Sequence, residues 1–423
     1  MNSLKMRWVE CPLLDAAGVV LHPPPSSDDD EEPIDLLSRR EGHCSAVVYP
    51  ATSMDVSSSS LHSARDSWVL VCGGYSNGTV SATPLVARTA LLPALQWVRL
   101  PPVDALECDG ATLTTIVSLL GDKVMSATAN ILPASSCVYS AAATVAYLFG
   151  GLDANMNRRN TLYAVSLHVD RDVTPVMVQV TEVPCTGTIP QARVRHSAGG
   201  YGGNLYIFGG ETDTQEQSSD LYVCNVQAGV WRLLVSPSSL PSPSPRLLSG
   251  GLLFVAPTRF VLYGGSHFVN GEVRSFADAW SFDLTTAAWS AVVPQQTEGC
   301  TPGKDEQHVL PPSNGHAGGV VILRPSGYET CVCAAFLGGK NIAEGDDAVK
   351  LVCFHVEANR MEACTRFAAP AAASGDSPHW RYTPAVVNTE KGLLLLAGQC
   401  RHPQIPSAWL LTVASGGSSS YSL

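Results

Sequence analysis

A run of four or five apolar residues ending in a Gly-Gly pair recurs along this 423-residue chain, and no other feature limits its fold so tightly. The stretch "NLYIFGGETDTQEQSSDLYVCNVQAGVW" (204–231) shows the whole plan: apolar run, Gly-Gly, polar loop, second apolar run, closing tryptophan. The plan returns in "WVLVCGGYSNG" (68–78), "AYLFGGLDANMNRRNTLYAVSL" (146–167), "FVLYGGSHFVNGEVRSFADAWSFDLTTAAW" (260–289) and "AAFLGGKNIAEGDDAVKLVCFHVEANRM" (334–361). A weaker copy is "LLLLAGQCRHPQIPSAWLLTV" (393–413), with Ala397-Gly398 for the glycine pair. The pairs begin at Gly73, Gly150, Gly209, Gly264, Gly338 and Ala397, at separations of 77, 59, 55, 74 and 59 residues, which defines units one to six.

Each unit reads as a small sheet. A short unbroken apolar run is a strand covered on both faces, where in/out alternation is lost. Paired glycines permit positive φ and close backbone approach where strands crowd. A further strand follows the polar loop ("DLYVCNV", "DAWSFDL"). Trp231 and Trp289 stand eleven residues after Asp220 and Asp278, and Met361 keeps that interval from Lys350. Segments such as "RVRHSAGGY" and "NGHAGGVVI" supply a first strand upstream. Four strands per unit, repeated around an axis, predict an all-β, six-bladed β-propeller. Tyr222, Trp280, Trp231 and Trp289 read as core, and Asp220 and Asp278 as caps of the turn before the third strand.

These residues resemble the kelch family. The match rests on apolar-Gly-Gly, then Asp-Leu-Tyr or Asp-Ala-Trp, then Trp, preceded by Arg-x-x-His, over about residues 40 to 413. Units one, two and six depart from it: unit one is irregular in "SATPLVARTALLPALQW", unit two lacks a clear closing Trp, and unit six has Ala-Gly. Trp8-Val9 in "MRWVE" matches Trp97-Val98 in "QWVRL", so the segment 1–21 is expected to lend residues 5–10 as the outer strand of the last blade. An acidic, Pro-rich loop (22–39, with "HPPPSSDDDEEP" at 22–33) follows, then the propeller (40–413), then a tail (414–423). Residues 101–137 read as an insertion, with "ATLTTIVSLLGDKV" open to a helix or a strand pair, and 292–314 and 366–379 as connections.

Composition narrows the function classes. Only 15% of residues are charged and the net charge is −11, which disfavours nucleic acid and anionic membranes as partners. No run of about eighteen apolar residues is present to form a membrane span. Glu10, Cys11 and Asp15 interrupt the apolar N-terminal stretch where a signal peptide needs continuity. Thirteen dispersed cysteines without a C-x-x-C pair read as reduced thiols, and so as a reducing, cytoplasmic setting without a zinc site. There is no Gly-x-Ser-x-Gly, P-loop, His-Glu-x-x-His or dinucleotide fingerprint. The expectation is therefore no enzyme, no cofactor and no metal. Of the enzymes that the kelch resemblance brings to mind, a copper radical oxidase would need a Tyr/His ligand set, and the Glu-x-x-x-Asp-x-x-x-His iron motif is absent.

One constellation precedes the first strands: Arg40-x-x-His43, Arg193-x-x-His196, Arg246-x-x-Ser249 and Arg381-x-x-Pro384, with Arg195 beside His196. Ser313 and His316 hold those places in unit five, and unit two has no arginine there. Repetition around an axis converts equivalent positions into a ring at one mouth. Two readings follow. The arginines and histidines hold adjacent blades together through backbone carbonyls. Alternatively, Arg40, Arg193, Arg195, Arg246, Arg381, His43 and His196 form a positive mouth for an acidic peptide or a C-terminal carboxylate. The resemblance implies a protein-interaction scaffold, monomeric unless held in an assembly. The alternatives are a ubiquitin-ligase substrate receptor, a subunit of a cytoskeletal or other large assembly, and a copper-type oxidoreductase.

Overall fold

A computed structural model describes residues 5–15, 17–20, 37, 40–50, 67–76, 78–116, 145–170, 172–235, 241–292, 312–323, 331–340, 351–355, 360–363, 381–399 and 408–414. The acidic stretch 22–33, residues 117–137, the tail from 415 and most of the connections 292–314 and 366–379 lie outside these. The described residues are strands and turns, with only two 3-10 turns, Thr89–Leu91 and Asp104–Leu106.

Antiparallel sheets of four strands recur along the chain, in the arrangement of an all-β propeller of at least five blades. Unit three is typical. From the inside out it holds Ser197–Tyr201, Asn204–Phe208, Leu221–Asn225 and Val230–Val235, with Thr186–Gly187 added in parallel outside. Unit one follows the same order with Cys44–Val48, Trp68–Cys72, Leu85–Arg88 and Leu95–Arg99, capped in parallel by Leu13–Leu14. Unit four runs Leu253–Ala256, Arg259–Tyr263, Ala279–Asp283, Ala288–Ala291, and unit five Asn314–Leu323, Cys331–Lys340, Leu351–His355, Arg360–Ala363. Unit six joins Ala385–Thr389, Gly392–Leu396 and Ala408–Ala414 to Lys5–Glu10, which pairs outermost with Lys5 opposite Ala414 and Glu10 opposite Trp409.

Unit two corrects the expected insertion. Its inner strand, Thr112–Thr115, lies within 101–137 and pairs with Ala146–Phe149, followed outward by Leu162–Val169 and Pro175–Glu182. The inner strand needs only four residues, and no Arg-x-x-His announces it, so the sequence pattern passes over it.

The core lies between sheets. One apolar cluster joins Val69, Val71 and Trp97 of unit one to Val387, Leu394 and Leu410 of unit six. Another joins Phe149 of unit two to Ile207 and Trp231 of unit three, with the Phe149 and Trp231 rings 5.0 Å apart. Trp289 reaches back in the same way to Phe208 of unit three, at 5.2 Å. The closing tryptophan is thus the residue by which an outer strand grips the preceding sheet, with ring contacts worth about 1 kcal/mol beyond their buried area. Tyr222, Trp231 and Trp289 are buried as expected. Trp280 instead is half-buried and donates its indole N–H to Asp278, at 2.7 Å.

Candidate functional site: the channel mouth

The glycine pairs explain how neighbouring sheets fasten. The second residue pair member donates its N–H to a carbonyl of the following unit: Gly74 to Cys108 (2.7 Å), Gly151 to Arg193 (2.9 Å), Gly210 to Arg246 (3.0 Å). Gly265 to Ser313 (2.8 Å), Gly339 to Arg381 (2.8 Å) and Gly398 to Arg40 (3.3 Å) repeat the bond. Each of these glycines has positive φ, and a Cβ on Gly210 would stand 2.8 Å from the Cβ of His196 and 3.0 Å from the Val194 carbonyl. Glycine is required by both conformation and space.

The arginines serve the same joint. Nη1 of Arg40, Arg193, Arg246 and Arg381 donates to the carbonyls of Gly73 (3.1 Å), Gly209 (2.8 Å), Gly264 (2.9 Å) and Ala397 (3.5 Å), the first member of the pair in its own unit. All four side chains are buried. Arg193 also donates from Nε to the Gln191 carbonyl (3.0 Å) and lies over the Tyr222 ring. Arg246 forms a two-pronged ion pair with Asp278 (2.7 and 2.8 Å) and stacks on Phe276 at 4.2 Å. Burial pushes the Asp278 carboxyl up, but the Arg246 fork and the Trp280 indole hold it below its usual range. Asp278 is therefore an arginine partner rather than only a turn cap.

The histidines face the preceding unit. His196 Nε2 meets Thr112 Oγ1 at 2.9 Å beside the Phe149 ring, and His316 Nε2 donates to the Tyr263 carbonyl at 3.1 Å. Burial is the main reason that all three histidines are held neutral: the imidazole pKa falls from 6.5 to about 3 in His43 and His196, and to about 4 in His316. An arginine beside His43 (Arg40) and beside His196 (Arg193) lowers them further.

Arg195 is placed differently. It is exposed, with φ of +58°, at the position occupied by Gly42, Gly110 and Gly315 in units one, two and five. Leu248 and Thr383 hold that position in units four and six, also with positive φ. These residues form a backbone collar. Gly110 N–H donates to Gly42 O (2.8 Å), Arg195 to Gly110 (2.9 Å), Leu248 to Arg195 (3.0 Å), Gly315 to Leu248 (3.0 Å) and Thr383 to Gly315 (2.7 Å). The collar opens into a cavity of about 450 Å³ between the inner strands, lined by small residues such as Ser45, Thr112, Ser197 and Gly318.

Side chains fold over the collar glycines. The Asp109 carboxylate fills the space that a Cβ on Gly42 would need, the Tyr382 ring does so at Gly315, and Arg195 Cγ lies 3.2 Å from the Cβ position of Gly110. Burial raises the carboxyls of Glu41 and Asp109; the Asp109 charge raises Glu41 further, while Arg195 pulls both down. Burial also raises the Tyr382 phenol, which Arg195 draws down. The mouth thus combines one exposed guanidinium with two partly buried carboxyls and a tyrosine. Of the residues expected there, the structure brings Arg195 to the rim. Arg40, Arg193, Arg246, Arg381, His43 and His196 lie in the joints between sheets. Glu41, Asp109 and Tyr382 were missed. The available signal was the glycine that follows Glu41 and Asp109 in the same place as Arg195.

Among families of known proteins, the model of the KLHDC2/KLHL20/DRC7 Kelch-repeats domain matches residues 123–316. That span holds the glycine pairs at Gly150, Gly209 and Gly264 and the arginine joints of units three and four. Kelch propellers are typically non-enzymatic modules that bind protein partners. The glycine pairs, the buried arginine joints and the propeller of sheets agree with that match, which supports a kelch-repeat family for this chain.

Proposed function

We propose that this chain is a six-bladed kelch propeller, closed by its N-terminal strand, that acts as a non-enzymatic protein-recognition module through the collar mouth. The observation that carries the reading is Arg195: an exposed guanidinium in a left-handed backbone position where three sister units use glycine. Strained backbone at a rim is where function is retained at a cost of about 1 kcal/mol. The ligand is a polar peptide segment or chain end. It gives a carboxylate or carbonyl to Arg195 and N–H or O–H donors to Glu41 and Asp109. A purely acidic ligand fits less well, since the other arginines of the set are engaged in the joints and two carboxyls flank the remaining one. A reducing cytoplasmic setting suits the free thiols of Cys11, Cys44, Cys72, Cys108, Cys185 and Cys224.

Affinity capture followed by mass spectrometry, comparing wild type with Arg195→Ala and with Glu41→Gln/Asp109→Asn, tests the reading. Partners shared by repeated captures should be lost with Arg195→Ala and weakened with the acid pair, while thermal melts stay unchanged. Full retention of every partner by both variants overturns it. Should a cullin-type adaptor appear among the retained proteins, the ligase-receptor reading gains on the scaffold reading.

A further inference from the structure

The outer edges of the sheets are not treated alike. The outer strand of unit one, Leu95–Arg99, is covered in parallel by Leu13–Leu14, and that of unit three, Val230–Val235, by Thr186–Gly187. Units four and five end in strands of only four residues, Ala288–Ala291 and Arg360–Ala363. Unit six ends in "KMRWVE", which carries three charged residues in six. Covering, shortening and charging are the usual devices that keep an edge from pairing with another chain.

Unit two uses none of them. Its outer strand, Pro175–Glu182, has eight residues, "PVMVQVTE", and one charge, at its last position. Among the described residues no strand pairs with its outer side. Val178 and Val180 anchor it to the core, while Val176 and Met177 are 50% and 47% exposed. Leaving Glu182, the chain crosses to unit three, where Ile189, Val230 and Leu233 are also exposed.

We propose that the Pro175–Glu182 edge is a second docking surface, which takes an extended, apolar strand with basic ends from a protein partner by adding it to the sheet. Backbone hydrogen bonds supply the affinity in such additions, and alternate side chains supply the selection. Charge identifies the occupant. The hairpin before the strand carries exposed Asp170 and Asp172 on either side of Arg171, and exposed Glu182 closes its far end, so both ends are net negative. A second copy of this chain, paired antiparallel, would bring one copy's acidic hairpin against the other's Glu182. A strand with lysine or arginine at each end meets opposite charge at both.

The test uses the full chain and two synthetic peptides with one shared alternating Val/Thr core of strand length, ended by lysines or by glutamates. Fluorescence anisotropy gives affinity, and hydrogen–deuterium exchange gives location. The lysine-ended peptide is expected to bind and to slow exchange at 175–182, with the glutamate-ended one about tenfold weaker and the gap narrowing as salt rises. Val176→Lys/Met177→Lys, at two exposed positions, should weaken the lysine-ended peptide by about tenfold while leaving the melt unchanged. No binding, protection elsewhere, or equal affinity for the two peptides overturns the proposal. So does a concentration-dependent dimer that protects 175–182 without peptide, since the occupant is then a second copy.

Discussion

Arg193 and Arg195 stand two residues apart and do opposite work. Arg193 is fully buried: its guanidinium donates to the Gly209 carbonyl of its own unit, and its backbone carbonyl accepts the N–H of Gly151 from the preceding unit. Arg195 is exposed on the collar and shares its surroundings with Glu41, Asp109 and Tyr382. The difference comes from one backbone turn. Arg195, between Arg193 and His196, itself has positive φ, and that turn carries its side chain to the rim while Arg193 and His196 stay buried in the joint. In a repeat protein, then, equivalent positions share a structural role, and the residue that departs from the repeat is the one to examine for function.

The joint is where substitution should do most harm. Arg246→Ala empties a fully buried site, removes the donor to Gly264 and leaves the half-buried Asp278 carboxylate without its counter-charge. A loss of about 3 kcal/mol is expected in urea unfolding. Adding Asp278→Asn should return part of it, because the orphaned charge is gone. If the double variant is no more stable than the single one, the ion pair is not what holds this joint.

Next in size is the glycine half of the joint. Gly210→Ala places a Cβ against His196 and the Val194 carbonyl in a backbone with φ of +89°, and about 2 kcal/mol should be lost. Gly202→Ala is the control: that glycine also has positive φ but has open space around it, so it bears only the conformational share. Equal losses at the two positions would mean that crowding at the joint contributes nothing.

The histidines of the joint make stability depend on pH. Their folded pKa lies below the unfolded 6.5, so above that pH both states are neutral and nothing is lost. As pH falls below 6.5 the unfolded chain takes up protons that the folded chain refuses, until about 3 for His196. Each histidine then removes up to about 1.4 kcal/mol per pH unit across that window. His196→Gln should flatten the slope measured by urea unfolding at successive pH values. An unchanged slope would show that His196 is reachable by protons in the folded protein.

The architecture was legible because burial on both faces forces apolar runs, and crowding at the joint forces Gly-Gly; both leave marks in single residues. The Trp231 and Trp289 spacing was legible for the same reason, since each ring must reach the neighbouring sheet. The inner strand Thr112–Thr115 was not, because a four-residue strand facing a channel with threonines has no apolar run to announce it. The arginines were legible as a set, but the sequence left both the joint and the mouth open to them. A guanidinium that serves two backbone carbonyls and one that waits for a ligand are the same letter, and only the bonds at Gly73, Gly209, Gly264 and Ala397 separate them.

The smallest expected effect on stability is the most informative about the rim. Arg195 makes a collar bond through its backbone N–H to Gly110, which any residue but proline preserves, and its side chain is exposed. Arg195→Gly relieves the left-handed strain of a residue with a Cβ while adding freedom to the unfolded chain, so the two changes should cancel to within about 0.5 kcal/mol. The collar would then match units one, two and five, where Gly42, Gly110 and Gly315 already stand. A protein of unchanged melt that loses its partners would mean that Arg195 is kept for recognition, against the preference of its own backbone. A protein that loses stability by more than 1.4 kcal/mol, tenfold in the folding equilibrium, would mean that the guanidinium braces Glu41 and Asp109 across the mouth, and that the rim belongs to the joint after all.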